Sequence, residues 1–192
     1  PLAPDYLKSL YPEIRKNGGL CISDEVQTGF GRLGSVFWGY ERHNVEPDMV
    51  VIGKPMGNGH PMGAVITSEE VAASFAEGVE FFSSFGGNPV SCAIGMAVLE
   101  VIEEEKLQQN ALKVGKYYSS LLKKLQKEDA RIGDVRGEGL FIGIELINEQ
   151  QKPNTELAQF LKNELRKRHV LISTDGPSDN VIKSKPPIIF DK

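Results

Sequence analysis

The stretch from Asp24 to Lys54 constrains this chain more than any other. It opens with Cys21-Ile22-Ser23-Asp24-Glu25-Val26-Gln27-Thr28-Gly29-Phe30-Gly31-Arg32 and closes with Met49-Val50-Val51-Ile52-Gly53-Lys54-Pro55. Each half has the pattern of a short apolar strand that delivers one charged residue at its carboxyl end. An acid and an amine at neighbouring strand ends can grip opposite sides of one flat, electron-poor cofactor.

The flanking pattern is that of an α/β chain. Tyr6 to Lys16 has near-helical apolar spacing and is stopped by Gly18-Gly19. Strands are expected at Leu20–Ile22, Met49–Ile52 and Ala64–Ile66, with the glycine-rich runs Gln27–Gly34 and Gly53–Gly63 as strand-end loops. Thr67-Ser68-Glu69-Glu70 marks a helix start, with a hydroxyl cap and acids in the first turn, running to about Ala76. A second glycine loop, Phe81 to Pro89, leads into a long apolar helix over Val90–Glu104. Lys106 to Glu128 is amphipathic, with Leu112, Leu121, Leu122 and Leu125 assigned to the core. Ile132 to Leu146 has the texture of a hairpin, Thr155 is placed as the cap of a helix to about Arg168, and Val170–Ser173 and Val181–Ser184 as short strands. The change from a buried to a polar helix puts a domain boundary near Lys106, dividing residues 1–106 from 107–192. The chain starts in a helix and stops in the apolar run Ile188-Ile189-Phe190, so it is expected to be part of a longer protein.

Composition narrows the function classes. A net charge of −4 argues against a nucleic-acid partner, which needs clustered Lys and Arg. No apolar run has the length of a membrane span, and no signal peptide is visible in Pro1 to Tyr6. Cys21 and Cys92, each in an apolar run, are expected reduced and structural, which fits a cytoplasmic setting with a mitochondrial one left open. The three histidines and two cysteines lack metal-ligand spacing, so no metal site is expected. Phe37, Trp38 and Tyr40 form an aromatic patch for core packing or a subunit interface.

Two nucleotide-loop readings fail on single residues. A P-loop around Gly53-Lys54 would need glycine where Asp48 stands and a hydroxyl residue where Pro55 stands. The run Gly57 to Gly63 is one residue off the dinucleotide fingerprint, and no helix follows it directly. Two local readings of Lys54 remain: an exposed loop lysine, or an amine made nucleophilic toward a carbonyl by burial. Asp24 likewise suits a turn-forming carboxylate or the acid that keeps a pyridine nitrogen protonated. Ser83, Ser84 and the amides of Gly86-Gly87 would then offer donors to a phosphate.

Together, Asp24 through Arg32, Pro47-Asp48, Gly53-Lys54 and Ser84-Phe85-Gly86-Gly87-Asn88-Pro89 closely resemble the class III aminotransferases, and Val135 through Leu140 resembles the start of that family's small domain. The resemblance implies a fold-type I pyridoxal 5'-phosphate enzyme: the C-terminal part of the large α/β cofactor-binding domain followed by a small α+β domain. It implies that Lys54 is the Schiff-base lysine and proton shuttle, and that Asp24 pairs with the pyridine nitrogen. Val26 would pack on a ring face and Gln27 bond the phenolic oxygen. Ser84, where the family usually has threonine, would reach the phosphate of the neighbouring subunit, which implies a homodimer. Glu25, Arg32 and Asn88 are expected to shape loops and buried ion pairs.

Two departures from the family's pattern stand out. The family's N-terminal half, with its phosphate-cradling loop, is absent. Amino-acid-handling members also carry an arginine just before the Pro-Pro near the C-terminus, to fork onto the substrate carboxylate. Lys183 stands there, a point charge and a poorer bidentate partner. Lys183 and Asp175-Gly176-Pro177 resemble the phospholyase branch, which acts on phosphoethanolamine or phosphohydroxylysine, whereas Gln27 through Ser35 and Phe37-Trp38-Gly39 resemble the alanine–glyoxylate aminotransferase branch. The expected activity is amino-group transfer from a small amine or amino acid to a keto acid. Phosphate elimination and a catalytically incomplete chain keeping only a dimerisation surface are the alternatives.

Overall fold

A computed structural model describes Ala3 and residues 5–191. The chain divides into two compact units. The N-terminal unit holds residues up to Gly31 and Val36–Gln108; the C-terminal unit holds Gln109 onward together with Arg32–Ser35.

In the N-terminal unit, helix α1 (Tyr6–Lys16) is followed by strands β1 (Ile22–Asp24), β2 (Met49–Ile52) and β3 (Ala64–Thr67), in sheet order β1-β2-β3. β1 pairs parallel to β2, with Asp24 opposite Val51, and β3 pairs antiparallel to β2. β1 begins two residues later than the apolar pattern suggests, and Leu20 and Ile22 are more than half exposed. The reason lies in Asp48. Its carboxylate accepts from the Cys21 amide at 2.6 Å, and its own amide donates to the Cys21 carbonyl at 2.8 Å, which takes Cys21 out of the ladder. Arg15 of α1 pairs with the same carboxylate at 3.0 Å. These donors hold the Asp48 carboxyl below its ordinary range, the Cys21 amide first among them.

Helix α2 (Glu69–Ala76) is capped by Ser68, whose hydroxyl accepts from the Val71 amide. Helix α3 (Pro89–Glu104) is capped by Asn88 through the Ser91 amide, with Pro89 at its first position. Cys21 is buried and Cys92 lies on the exposed side of α3; both are free thiols, so Cys92 is not the buried structural residue its apolar surroundings suggest.

The C-terminal unit takes most of helix α4 (Leu107–Glu128), then strands β4 (Ile132–Glu138) and β5 (Phe141–Leu146), helix α5 (Thr155–Lys167), and strands β6 (Ser173–Asp175) and β7 (Val181–Ser184). Its antiparallel sheet runs β4-β5-β7-β6 over a core of Ile132, Val135, Ile142, Leu146, Ala158 and Ile182. The buried stripe of α4 is Leu107, Ala111 and Val114, continued by Tyr118 and Leu122 at four-residue steps. Leu121 and Leu125 fall off that stripe and are nearly half exposed, against expectation. Asn154, not Thr155, caps α5: its side chain accepts from the Leu157 amide, while the Thr155 hydroxyl donates to the Ser178 carbonyl. The strand expected at Val170–Ser173 forms at Ser173–Asp175, where it pairs with β7.

The loop Arg32–Ser35 belongs to this unit through its backbone. Leu140 donates its amide to the Arg32 carbonyl at 3.0 Å. The Arg32 guanidinium donates to the carbonyls of Leu140 and Pro186, at 3.1 and 2.8 Å. Burial pulls its pKa down.

Candidate active site

β1 and β2 are parallel, so their carboxyl ends leave the sheet at the same edge. That is where open α/β sheets place ligands. Asp24 ends β1 and is exposed. One of its carboxylate oxygens accepts from the Val26 amide at 3.0 Å, an Asx-type turn that aims the chain out of the strand. The other oxygen has no partner among the described residues. The turn-forming reading of Asp24 therefore holds, and its second oxygen is left as an acceptor.

Lys54 lies just beyond β2, in a one-turn 3-10 segment over Lys54–Gly57. It is exposed, and its ammonium makes no hydrogen bond or ion pair among the described residues. Its backbone φ is 32°, in the left-handed region that costs a side-chain-bearing residue energy. Glycine would be the relaxed choice there. Asp24 stands opposite Val51 on the neighbouring strand, about 5 Å away, and Lys54 follows Val51 by three residues, past the end of β2. Val26 packs beside the residue before Lys54: its Cγ2 is 3.6 Å from where a Cβ on Gly53 would stand.

Glu25 is the anchor of this edge. It is 1% exposed and accepts four hydrogen bonds. Oε1 takes the Ser23 hydroxyl and the Tyr40 amide, both at 2.9 Å. Oε2 takes the Thr28 hydroxyl at 2.6 Å and the Gly39 amide at 2.7 Å. The expected ion pair is not what satisfies it; neutral donors fill all four places, as Arg32 is satisfied by carbonyls. The carboxylate fixes the turn bearing Val26 and Gln27 against the segment after Trp38. An edge-to-face cluster of Phe30, Phe37 and Trp38 backs it, the two latter ring centroids 4.8 Å apart. The aromatic patch is thus core packing in part.

Gln27 is exposed in the turn after Val26. Ser84 is exposed in the loop before α3, and its hydroxyl has no partner among the described residues. Of the donors expected beside it, the Gly86 amide is already given to the Ser83 oxygen at 3.0 Å, leaving the Ser83 and Ser84 hydroxyls and the Gly87 amide. Asn88 orders this loop, donating to the Phe85 carbonyl at 2.7 Å.

Lys183 belongs to the C-terminal unit, on β7 opposite Ser173. Its ammonium forms a short ion pair with Asp175, which holds the Asp175 carboxyl below its ordinary range. Sequence reasoning singled out both residues without pairing them.

The donor set fits pyridoxal phosphate. An outward carboxylate oxygen, an unpaired amine and an apolar side chain share one sheet edge, and unpaired hydroxyl and amide donors stand before α3. Among the described residues, no helix is long and apolar enough to cross a membrane.

Comparison with known proteins agrees. The family model for class III aminotransferases matches residues 1–192. The chain is 52% identical over 97% of its length to the Drosophila melanogaster protein named alanine–glyoxylate aminotransferase 2-like, of which it spans 39%. It is 54% identical over 76% of its length to human mitochondrial alanine–glyoxylate aminotransferase 2, of which it spans 28%. A solved phospholyase from Arthrobacter, in complex with phosphoethanolamine, superposes with a TM-score of 0.97 at 46% identity, covering 100% of this chain and 46% of that one. The chain thus spans less than half the length of these relatives. Its architecture is that of fold-type I enzymes, and the chain belongs to the class III aminotransferase family.

Proposed function

We propose that this chain supplies the lysine and the acid of a pyridoxal 5'-phosphate site in an enzyme acting on the amino group of a small amine or amino acid. The observation that carries the reading is the parallel pairing of β1 with β2, which puts Asp24 and the strained, unpaired Lys54 at one edge. When bound, the cofactor supplies an electron-poor ring that takes up the electron pair left on the substrate's α-carbon. Lys54 accepts the proton from that carbon and returns it. Asp24 offers its outward oxygen to a pyridinium N–H and keeps the proton there. Val26 covers one ring face and excludes water, and Gln27 donates to the phenolic oxygen.

Ser84 donates to the phosphate of the neighbouring subunit in a homodimer. Exposed Phe81, Phe82 and Phe85 beside it, each at least 72% accessible, support a second copy of the chain as their cover. The same reading covers a cytoplasmic or a mitochondrial setting.

The first-line reaction is amino-group transfer to a keto acid. One observation favours phosphate elimination instead. Lys183, in the place of a carboxylate-binding arginine, has its charge answered by Asp175. A substrate carboxylate would have to compete with that aspartate, whereas a substrate lacking a carboxylate, such as the phosphoethanolamine of the Arthrobacter complex, would not.

Incubating the full-length protein with phosphoethanolamine and no keto acid separates the two reactions. Equal release of inorganic phosphate and ammonia marks elimination. Absence of phosphate release, with an amino group delivered to glyoxylate or pyruvate from an amino acid, marks transfer. Neither product from any of these substrates leaves the incomplete-chain alternative.

A further inference from the structure

The loop carrying Lys54 and the loop carrying Ser84 are remote in sequence, yet a single run of hydrogen bonds joins them. His60 Nε2 lies 2.8 Å from Ser91 Oγ in the third position of α3. Asn88 Nδ2 donates both to Ser91 Oγ at 2.9 Å and to the Phe85 carbonyl at 2.7 Å, next to Ser84. Its Oδ1 accepts the Ser91 amide at 2.9 Å, so both ends of the Asn88 amide are engaged.

We propose that His60 is a positioning residue: by bonding Ser91 it fixes the loop that carries Lys54 to the helix start that holds the loop of Ser84. This rests on the cofactor reading above.

Three observations support the assignment. First, this is the sole side-chain hydrogen bond leaving residues 53–63 among the described residues. Second, the backbone of His60 is tied to the lysine turn itself, because the His60 amide donates to the Gly57 carbonyl at 3.0 Å. Third, Lys54 holds a left-handed backbone that its own turn does not favour, so the loop needs an external hold. Met62 adds an apolar contact to the same helix, its Cε 3.0 Å from where a Cβ on Gly95 would stand.

Ser91 Oγ accepts from Asn88 and still has its own hydrogen, which it donates to His60 in the tautomer whose Nε2 is bare. Holding both loops before the ligand arrives lowers the ordering cost of binding, so the loss of this tie appears in cofactor affinity.

The test uses the full-length protein and a double-mutant cycle: His60→Ala, Ser91→Ala, the pair, and His60→Gln, whose amide oxygen can replace Nε2 as acceptor. The readouts are the dissociation constant for pyridoxal phosphate, by absorbance titration, and the melting temperature of the cofactor-free form. Each single alanine variant is expected to weaken cofactor binding about 3- to 10-fold, the span of one neutral hydrogen bond. The double variant should be no weaker than either single, and His60→Gln should come within about 2-fold of wild type.

Unchanged affinity in His60→Ala, fully multiplicative losses in the double variant, or failure of His60→Gln to restore affinity would each overturn the assignment. So would a lowered melting temperature with unaltered affinity, the signature of a merely structural role. A wild-type protein that binds no cofactor would overturn the cofactor reading as well, which distinguishes the two failures.

Discussion

Replacing Glu25 by glutamine should cost about 2–4 kcal/mol of stability, although the two side chains are nearly the same shape. Each carboxylate oxygen of Glu25 accepts one hydroxyl and one backbone amide. The NH2 of a glutamine must replace one of those oxygens. In either orientation it then faces a hydroxyl, which can turn, and a backbone N–H, which cannot. The amide of Gly39 or of Tyr40 is left without its acceptor in a site only 1% exposed, a cost of about 1–3 kcal/mol. The bonds that survive lose their charge assistance, about 1 kcal/mol each. Burying a neutral side chain instead of an ionised one returns part of that sum.

Urea unfolding of the full-length protein should show the lower midpoint. Hydrogen exchange should localise it, with the Gly39 and Tyr40 amides exchanging roughly 30-fold faster or more, at 1.4 kcal/mol per factor of ten. Unchanged protection at both amides in Glu25→Gln would refute the reasoning. Because Glu25 holds the turn of Val26 and Gln27, cofactor affinity should fall in the same variant.

Further consequences follow from other contacts. Gly115 of α4 packs directly on the Gly139 carbonyl, so Gly115→Ala should destabilise by about 1–3 kcal/mol or more despite a helix-propensity gain of up to about 1 kcal/mol, read as a fall in the urea midpoint. Asp48→Ala should cost about 1.5–3 kcal/mol by orphaning the Cys21 amide and Arg15, and Asp48→Asn clearly less; equal losses would contradict the hydrogen-bond account. Arg131 holds the Asp129 carboxyl at about 2, so NMR titration should find it there, moving toward the ordinary range in Arg131→Ala. A depressed folded pKa means that its stabilisation is present above the unfolded value near 3.9 and fades as pH falls toward 2. Lys183→Ala should likewise raise the Asp175 pKa, seen in the same spectra.

What was legible in the sequence was what is local. β2 at Met49–Ile52, the hydroxyl-capped start of α2, and the acid and amine at strand ends all follow from residues within a few positions of one another. What was not legible depends on partners from elsewhere. β1 is displaced because Asp48, 27 residues on, captures the Cys21 amide. Two of the four acceptor places of Glu25 are filled from 14 and 15 residues away, where an ion pair was the reasonable guess for a buried carboxylate. The choice of Asn154 over Thr155 as cap reflects the Thr155 hydroxyl being drawn to Ser178. Leu121 and Leu125 fit an apolar count but miss the stripe set by Ala111, Val114 and Tyr118. His60 carried no signal of its own, since its partner Ser91 is 31 residues downstream.

The central claim is that Lys54 is the amine that holds the cofactor. Borohydride reduction of the full-length protein loaded with pyridoxal phosphate, followed by peptide mass spectrometry, tests it most directly. The account predicts one phosphopyridoxyl group, on Lys54, and none at any position in Lys54→Ala. A reduced adduct on a different lysine, or an unmodified Lys54 in protein that has bound the cofactor, would contradict it.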